Sequence, residues 1–147
     1  MTKAEHDEKL VPPHPRWKPG ESEDWFAIGT HGSIRHYTEG INSDSFECCN
    51  DVANVYRSED DAEFALERRR VLAEIDEWRG EYGDPVSIAY YENNDRVESI
   101  AALYPNRGEA LFANYEDADG CIRAIGQKRL KKYYFMIPEE EKTDDER

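Results

Sequence analysis

Two stretches of the chain repeat one order of apolar, capping and acidic positions. Sliding the sequence by 56 residues lays Asn54 to Leu66 on Ala110 to Ile122, so that Tyr56 meets Phe112, Ser58 meets Asn114, Asp61 meets Asp117, Ala62 meets Ala118 and Leu66 meets Ile122. A repeat of this kind constrains the architecture before any single residue does. In each copy an apolar pair precedes a small polar residue, then acids, then apolar residues at helical spacing, which predicts a short strand, an N-cap and a helix. Ser58 and Asp61 form an S-x-x-D capping pattern, and Glu59, Asp60 and Asp61 complement the positive end of the helix dipole.

The first of these helices is expected to run to Trp78. Ala62, Ala65, Leu66, Leu72 and Ala73 define one apolar stripe, and Phe64, Val71, Ile75 and Trp78 a second beside it, which implies burial over a wide arc. The remaining arc carries Glu63, Glu67, Arg70, Glu74 and Glu77, an acidic face, and Gly80 and Gly83 are expected to end the helix.

Met1 to Glu23 has no strand or helix period and contains Pro12, Pro13, Pro15 and Pro19, so residues 1–23 are expected to form a flexible Pro-rich arm that Trp17 pins to the domain surface. Trp25 to Ile28 and Ser33 to Tyr37 form a predicted hairpin around Gly29 to Gly32. Glu39 to Ala53 is polar enough for a long loop, with Phe46 to Cys49 as an alternative short edge strand. In the second half, Val86 to Tyr91 and Val97 to Leu103 flank the turn Glu92-Asn93-Asn94-Asp95, and a loop through Pro105 and Gly108 leads to Phe112. Asn114 caps a helix with Ala118, Cys121, Ile122 and Ile125 on its apolar side, and Gly126 is expected to break or bend it. Leu130 to Ile137 fits a helical turn followed by a short strand, and periodicity leaves helix and strand both open. Residues 138–147 are expected to be a disordered acidic tail.

The expected fold is therefore α+β: two tandem βββα repeats, 24–83 and 84–137, within a single domain 24–137. Their antiparallel sheet or sheets would be covered on the apolar face by both helices. A chain of 147 residues needs no disulfide staple, and Cys48, Cys49 and Cys121 suit free thiols in a reducing compartment. No stretch is apolar enough for a membrane span, and the charged amino terminus does not match a signal peptide, so a cytoplasmic protein is expected.

Charge narrows the function. There are 33 acids against 19 bases, a formal net charge of -14. Duplex nucleic acid and anionic membranes are bound by cations that displace counterions, so a basic protein partner is favoured over both. Glu39 to Glu67 alone holds nine acids against the single base Arg57. Concentrated like charge destabilises through self-repulsion and invites a functional explanation, with a solvated helix face and polar loop as the alternative. The opposite sign gathers at Arg123, Lys128, Arg129, Lys131 and Lys132, beside Tyr133, Tyr134 and Phe135. Bases next to aromatics can clamp single-stranded nucleic acid, but cations also belong at a helix carboxyl end and aromatics in a core.

Catalytic and metal chemistry find no footing. There is no Gly-rich phosphate loop, nucleophile elbow or H-E-x-x-H motif. His31, His36, Cys48 and Cys49 do not suit zinc, because adjacent cysteines rarely both fit a tetrahedral site. No enzyme activity, metal or cofactor is expected.

Trp17-Lys18-Pro19, the Trp25 to Ile28 strand, Asn54-Val55-Tyr56 followed by Ser58 to Glu63, and Lys131 to Phe135 together resemble a family of small uncharacterised phage and prophage proteins. The resemblance spans most of residues 17–137, rests on caps and core positions, and carries over no catalytic residue. It implies a mobile-element origin and, with it, a target: the positively charged channels in which host defence nucleases, RNA-guided ones included, hold nucleic acid. The expectation is an anti-CRISPR-type inhibitor in the bacterial cytoplasm. It would act by nucleic-acid mimicry or steric block through Glu47, Asp51, Glu59, Asp60, Asp61, Glu63, Glu67, Glu74 and Glu77. The alternative is a phage accessory protein that binds single-stranded nucleic acid through Arg123, Lys128, Arg129, Lys131, Lys132 and Tyr133. Self-association of acidic and basic surfaces is a further expectation.

Overall fold

The computed structural model describes residue 13 and residues 15–80, 84–103 and 109–139. Gly83, the loop through Pro105 and Gly108, and nearly all of the predicted arm before Pro15 and of the acidic tail lie outside them. The chain divides into two compact units, Met1–Glu63 and Phe64–Arg147.

In the first unit, β1 (Trp25–Ile28) and β2 (Ile34–Tyr37) pair antiparallel with Trp25 opposite Tyr37 and Ile28 opposite Ile34. Alternation along β1 buries Trp25 and Ala27. Trp25 stacks on Tyr37 with centroids 4.2 Å apart, meets Phe46 edge-on at 5.9 Å, and donates from Nε1 to the Gly40 carbonyl at 3.1 Å. Gly40 has φ +55°, and a Cβ there would lie 1.7 Å from the Gly20 carbonyl oxygen, so the position admits only glycine. That close approach fastens the proline-bearing segment. The Ile41 amide donates to the Gly20 carbonyl at 3.3 Å, and the Arg57 guanidinium lies 5.2 Å over the Trp17 ring.

Neither the loop nor the edge strand expected between Glu39 and Ala53 is found. The segment makes a 3-10 turn at Gly40–Asn42 and then helix α1 (Phe46–Asp51). The one large apolar side chain of α1, Phe46, is seated on Trp25, which a helical turn achieves while leaving Glu47, Cys48 and Asp51 exposed.

Helix α2 (Glu59–Asp76) starts where the capping pattern predicts, the Ser58 hydroxyl accepting from the Asp61 amide at 3.1 Å. It ends at Asp76, short of the predicted glycines. The amides of Glu77, Trp78 and Arg79 each bond back three residues, and Gly80 donates across to the Leu111 carbonyl at 3.0 Å. The expected wide apolar arc is also narrower. Val71 and Ile75 are buried, but Leu72 and Ala73 are exposed.

The second unit pairs β3 (Val86–Tyr91) with β4 (Arg96–Ala101), Val86 opposite Ala101 and Tyr91 opposite Arg96, around a turn in which Asp95 is left-handed at φ +50°. Helix α3 (Tyr115–Ile125) is capped by Asn114, whose Oδ1 accepts from the Asp117 amide at 2.8 Å. Its buried Ala118, Cys121, Ile122 and Ile125 share one core with Val86, Ile88, Val97, Phe112 and Leu130, and with Val71 and Ile75 of α2. Gly126 breaks α3 at φ +96°. Helix α4 (Gln127–Arg129) follows and opens into a single π turn, Leu130–Tyr134, whose carbonyls at Tyr133 and Tyr134 accept from Arg68 Nη1 at 2.5 and 3.3 Å. No strand follows it within residues 130–139, because the wide turn sets Tyr133, Tyr134 and Phe135 all against the core.

Among the described residues each sheet has two strands, so the architecture is α+β with two small antiparallel sheets, the long helix α2 and shorter helices. The predicted third strand shrinks to one bridge per unit: Tyr56 exchanges both backbone bonds with Phe26 at 2.8 and 2.9 Å, and Phe112 does so with Val86 at 2.7 and 3.0 Å. In both places the cap follows two residues later, and the chain leaves the sheet to begin the helix. Among the described residues no helix is long and apolar enough to cross a membrane.

Candidate functional site

The acids fall into two groups with different fates. In the first unit, Glu47 and Asp51 on α1 and Glu59, Asp60, Asp61 and Glu63 at the start of α2 are all exposed, and none makes an ion pair among the described residues. Local structure accounts for four of them, Glu47 on α1 and Glu59, Asp60 and Asp61 on α2, since carboxylates in the first turn of a helix are stabilised by its dipole. It does not account for Asp51, which stands at the carboxyl end of α1 with no base in the last turn. Nor does it account for Glu63, four residues from the like-charged Glu59.

In the second unit the predicted acids are largely spent. Glu67 pairs with Arg70 and lies 3.9 Å from Arg129. Glu74 takes the Arg129 fork in two parallel bonds, Nη1 to Oε1 at 3.0 Å and Nη2 to Oε2 at 2.6 Å. That hydrogen bonding holds the Glu74 carboxyl below its usual range and the Arg129 guanidinium above its own. Glu77 is exposed without an ion pair among the described residues. The nine predicted acids are therefore not one equivalent set.

The predicted basic set is divided too. Arg123 and Lys128 are exposed, with no ion pair among the described residues. Arg129 is held by Glu74, Lys131 by Asp95 at 3.2 Å, and Lys132 by Glu139 at 3.6 Å. Tyr133 packs on Phe64 with centroids 5.1 Å apart and carries the Lys132 ammonium 5.4 Å from its ring centre.

Lys128, Lys131 and Lys132 nevertheless line one open cleft of about 990 Å³. The facing wall is the β3–β4 turn with Tyr90, Glu92 and Asp95, and Ile137, Pro138 and Glu139 complete the lining. The Tyr90 hydroxyl donates to Asp95 Oδ1 at 2.6 Å, and this bond, then Lys131, holds the Asp95 carboxyl below its usual range. Sequence reasoning placed the lysines but missed the turn opposite them. Their spacing of three and four residues was the available signal, since it sets side chains on one helical face.

The sulfur and imidazole groups stay apart. Among the described residues no three His, Cys, Asp or Glu side chains are grouped to hold a metal. His36 stacks on Phe26 at 4.7 Å and lies 3.3 Å from Asp24, while Cys121 is buried in the second core.

No family model matches the chain, and no curated protein or solved structure matches it.

Proposed function

We propose that this protein is an acidic, non-catalytic decoy of mobile-element origin that occupies the nucleic-acid channel of a basic host protein. A defence nuclease of the RNA-guided type is the intended target, met in the bacterial cytoplasm. The decoy surface is that of the first unit: Glu47, Asp51, Glu59, Asp60, Asp61 and Glu63. Carboxylates spaced along two helices imitate phosphates and gain on-rate from electrostatic steering toward a cationic groove. The two segments in which a hairpin, a bridging residue and a capped helix follow one another are taken here as descendants of one duplicated βββα ancestor.

One contrast carries this reading. The six acids of the first unit have no cationic partner among the described residues, whereas in the second unit Glu74 is taken by Arg129 in two parallel bonds and Glu67 by Arg70.

The test is capture from a bacterial lysate containing RNA-guided and restriction nucleases, repeated with Asp51→Lys, Asp60→Lys and Glu63→Lys combined. These positions leave the Ser58 cap and the Asp61 amide bond in place. Capture of a nuclease by the native protein and its loss in the triple variant is the expected outcome. Equal capture by both proteins, or capture of nothing, would overturn the reading.

A further inference from the structure

The cleft of the second unit has properties that a decoy does not use. Lys128, Lys131 and Lys132 line it together, and the two that are paired sit on highly exposed carboxylates, Asp95 at 68% and Glu139 at 59%. Exposed pairs of this kind contribute little, so a better anion exchanges them readily. Asp95 keeps the Tyr90 hydroxyl when it gives up Lys131. The backbone around the cleft is irregular at three points: Asp95 at φ +50°, the π turn Leu130–Tyr134, and Met136 at φ +52° directly before Ile137. Non-glycine residues held left-handed and isolated π turns concentrate at ligand sites, where strain is retained because it positions side chains. The volume suits a small molecule, at the upper end of the usual range of about 300–1,000 Å³.

We propose that this cleft binds a small phosphate monoester carried on a flat body, a nucleoside monophosphate being the simplest member of the class. The phosphate takes the ammonium groups of Lys128, Lys131 and Lys132, each a point-charge donor to phosphate oxygen. The flat body lies along Tyr90, Ile137 and Pro138, and Glu92 accepts from its hydroxyl or amino groups. The chain's net negative charge does not forbid this. Glu92, Asp95 and Glu139 share the lining with the three lysines, so the phosphate binds by displacing Asp95 from Lys131 and Glu139 from Lys132, and screening over about 8 Å at physiological salt weakens only the acids farther away.

The experiment is isothermal titration of the full chain with adenosine 5′-monophosphate, inorganic phosphate and a short oligothymidylate. Saturable binding of the nucleotide is expected, tighter than that of phosphate and weakening as salt rises. Lys128→Ala and Lys132→Ala should each weaken it about tenfold, as loss of one charged hydrogen bond does, while Lys128→Arg should retain it. Both lysines are accessible at the surface, and an unchanged circular dichroism spectrum separates loss of binding from loss of fold. Asp60→Lys with Glu63→Lys should leave the nucleotide binding intact, so failure of the decoy reading and failure of this one are distinguishable. No saturation at millimolar nucleotide, binding indifferent to both lysines, or a preference for the oligothymidylate would overturn the proposal.

Discussion

The side-chain amide of Gln127 lies against the backbone of Val97 as a peptide group would. Oε1 accepts from the Val97 amide at 2.7 Å, and Nε2 donates to the Val97 carbonyl at 2.8 Å. Asn54 does the same to Ile28 in the first unit, at 2.8 and 2.9 Å. Val97 is only 1% exposed, so with Gln127 in place its backbone groups are shielded from other partners. Gln127→Leu strands a donor and an acceptor together, at about 1–3 kcal/mol for each buried group left unmade. A loss of about 2 kcal/mol or more is expected, roughly 4–8 °C in Tm by thermal unfolding. An unchanged Tm would mean that water replaces the amide.

The Glu74–Arg129 fork sets an acid limb for the second unit. Because Arg129 depresses the Glu74 pKa below the ordinary glutamate value of about 4.5, the unfolded chain takes up its proton first as pH falls. The fork's contribution is full above about 4.5 and is lost as pH drops through the lower folded value. Tm measured from neutral pH down into this range should fall for the native chain, and fall less steeply for Glu74→Gln. Parallel curves would show that the fork carries no net stability.

The three thiols should separate by reactivity. Cys48 is exposed, and Cys49 is raised by burial and by its neighbour Cys48. Cys121 is pushed up to about 11, by burial first and then by Glu74. Since the thiolate is the reactive form, a disulfide reagent at pH 8 should modify Cys48 fastest and Cys49 more slowly. Cys121 should react only on unfolding. Mass-mapped labelling checks the order, and early modification of Cys121 would contradict the buried placement.

Gly120 costs α3 helix propensity, and Trp78 explains why it is there. A Cβ at Gly120 would lie 2.7 Å from Trp78 Cζ3. Alanine would gain up to about 1 kcal/mol in an exposed helix, but overpacking against the ring costs about 1–3 kcal/mol. Gly120→Ala is expected to destabilise the native chain and to be neutral or stabilising in a Trp78→Leu background. A double-mutant cycle by chemical denaturation measures the difference.

What the sequence disclosed was local, and what it hid was mostly long-range. Ser58 and Asn114 were visible as caps because the bonds they accept come from three residues away. The hairpins were visible through alternation and turn residues. Helix α1 was not, since one phenylalanine among polar residues has no period and its seat on Trp25 is made only in the fold. Glu74 looked like an open acid because the base that meets it, Arg129, is 55 residues away, whereas the partner of Glu67, Arg70, stood three residues on in the same helix. The lysine side of the cleft could be inferred from spacing, but the turn opposite it could not. The third strand of each repeat was overread. Tyr56 and Phe112 match the pattern of a strand, yet backbone pairing stops after one residue in each.

The amides of Asn54 and Gln127 have a consequence for behaviour in a crowded solution. A short hairpin offers unpaired backbone groups along its flanks, a template for strands from other chains and a start for aggregation. At Ile28 and Val97 that template is already filled by a side chain of the same molecule. Loss of either amide would therefore do more than soften the fold. It would uncover a docking edge for a foreign strand, and the variant should become aggregation-prone before it becomes unfolded.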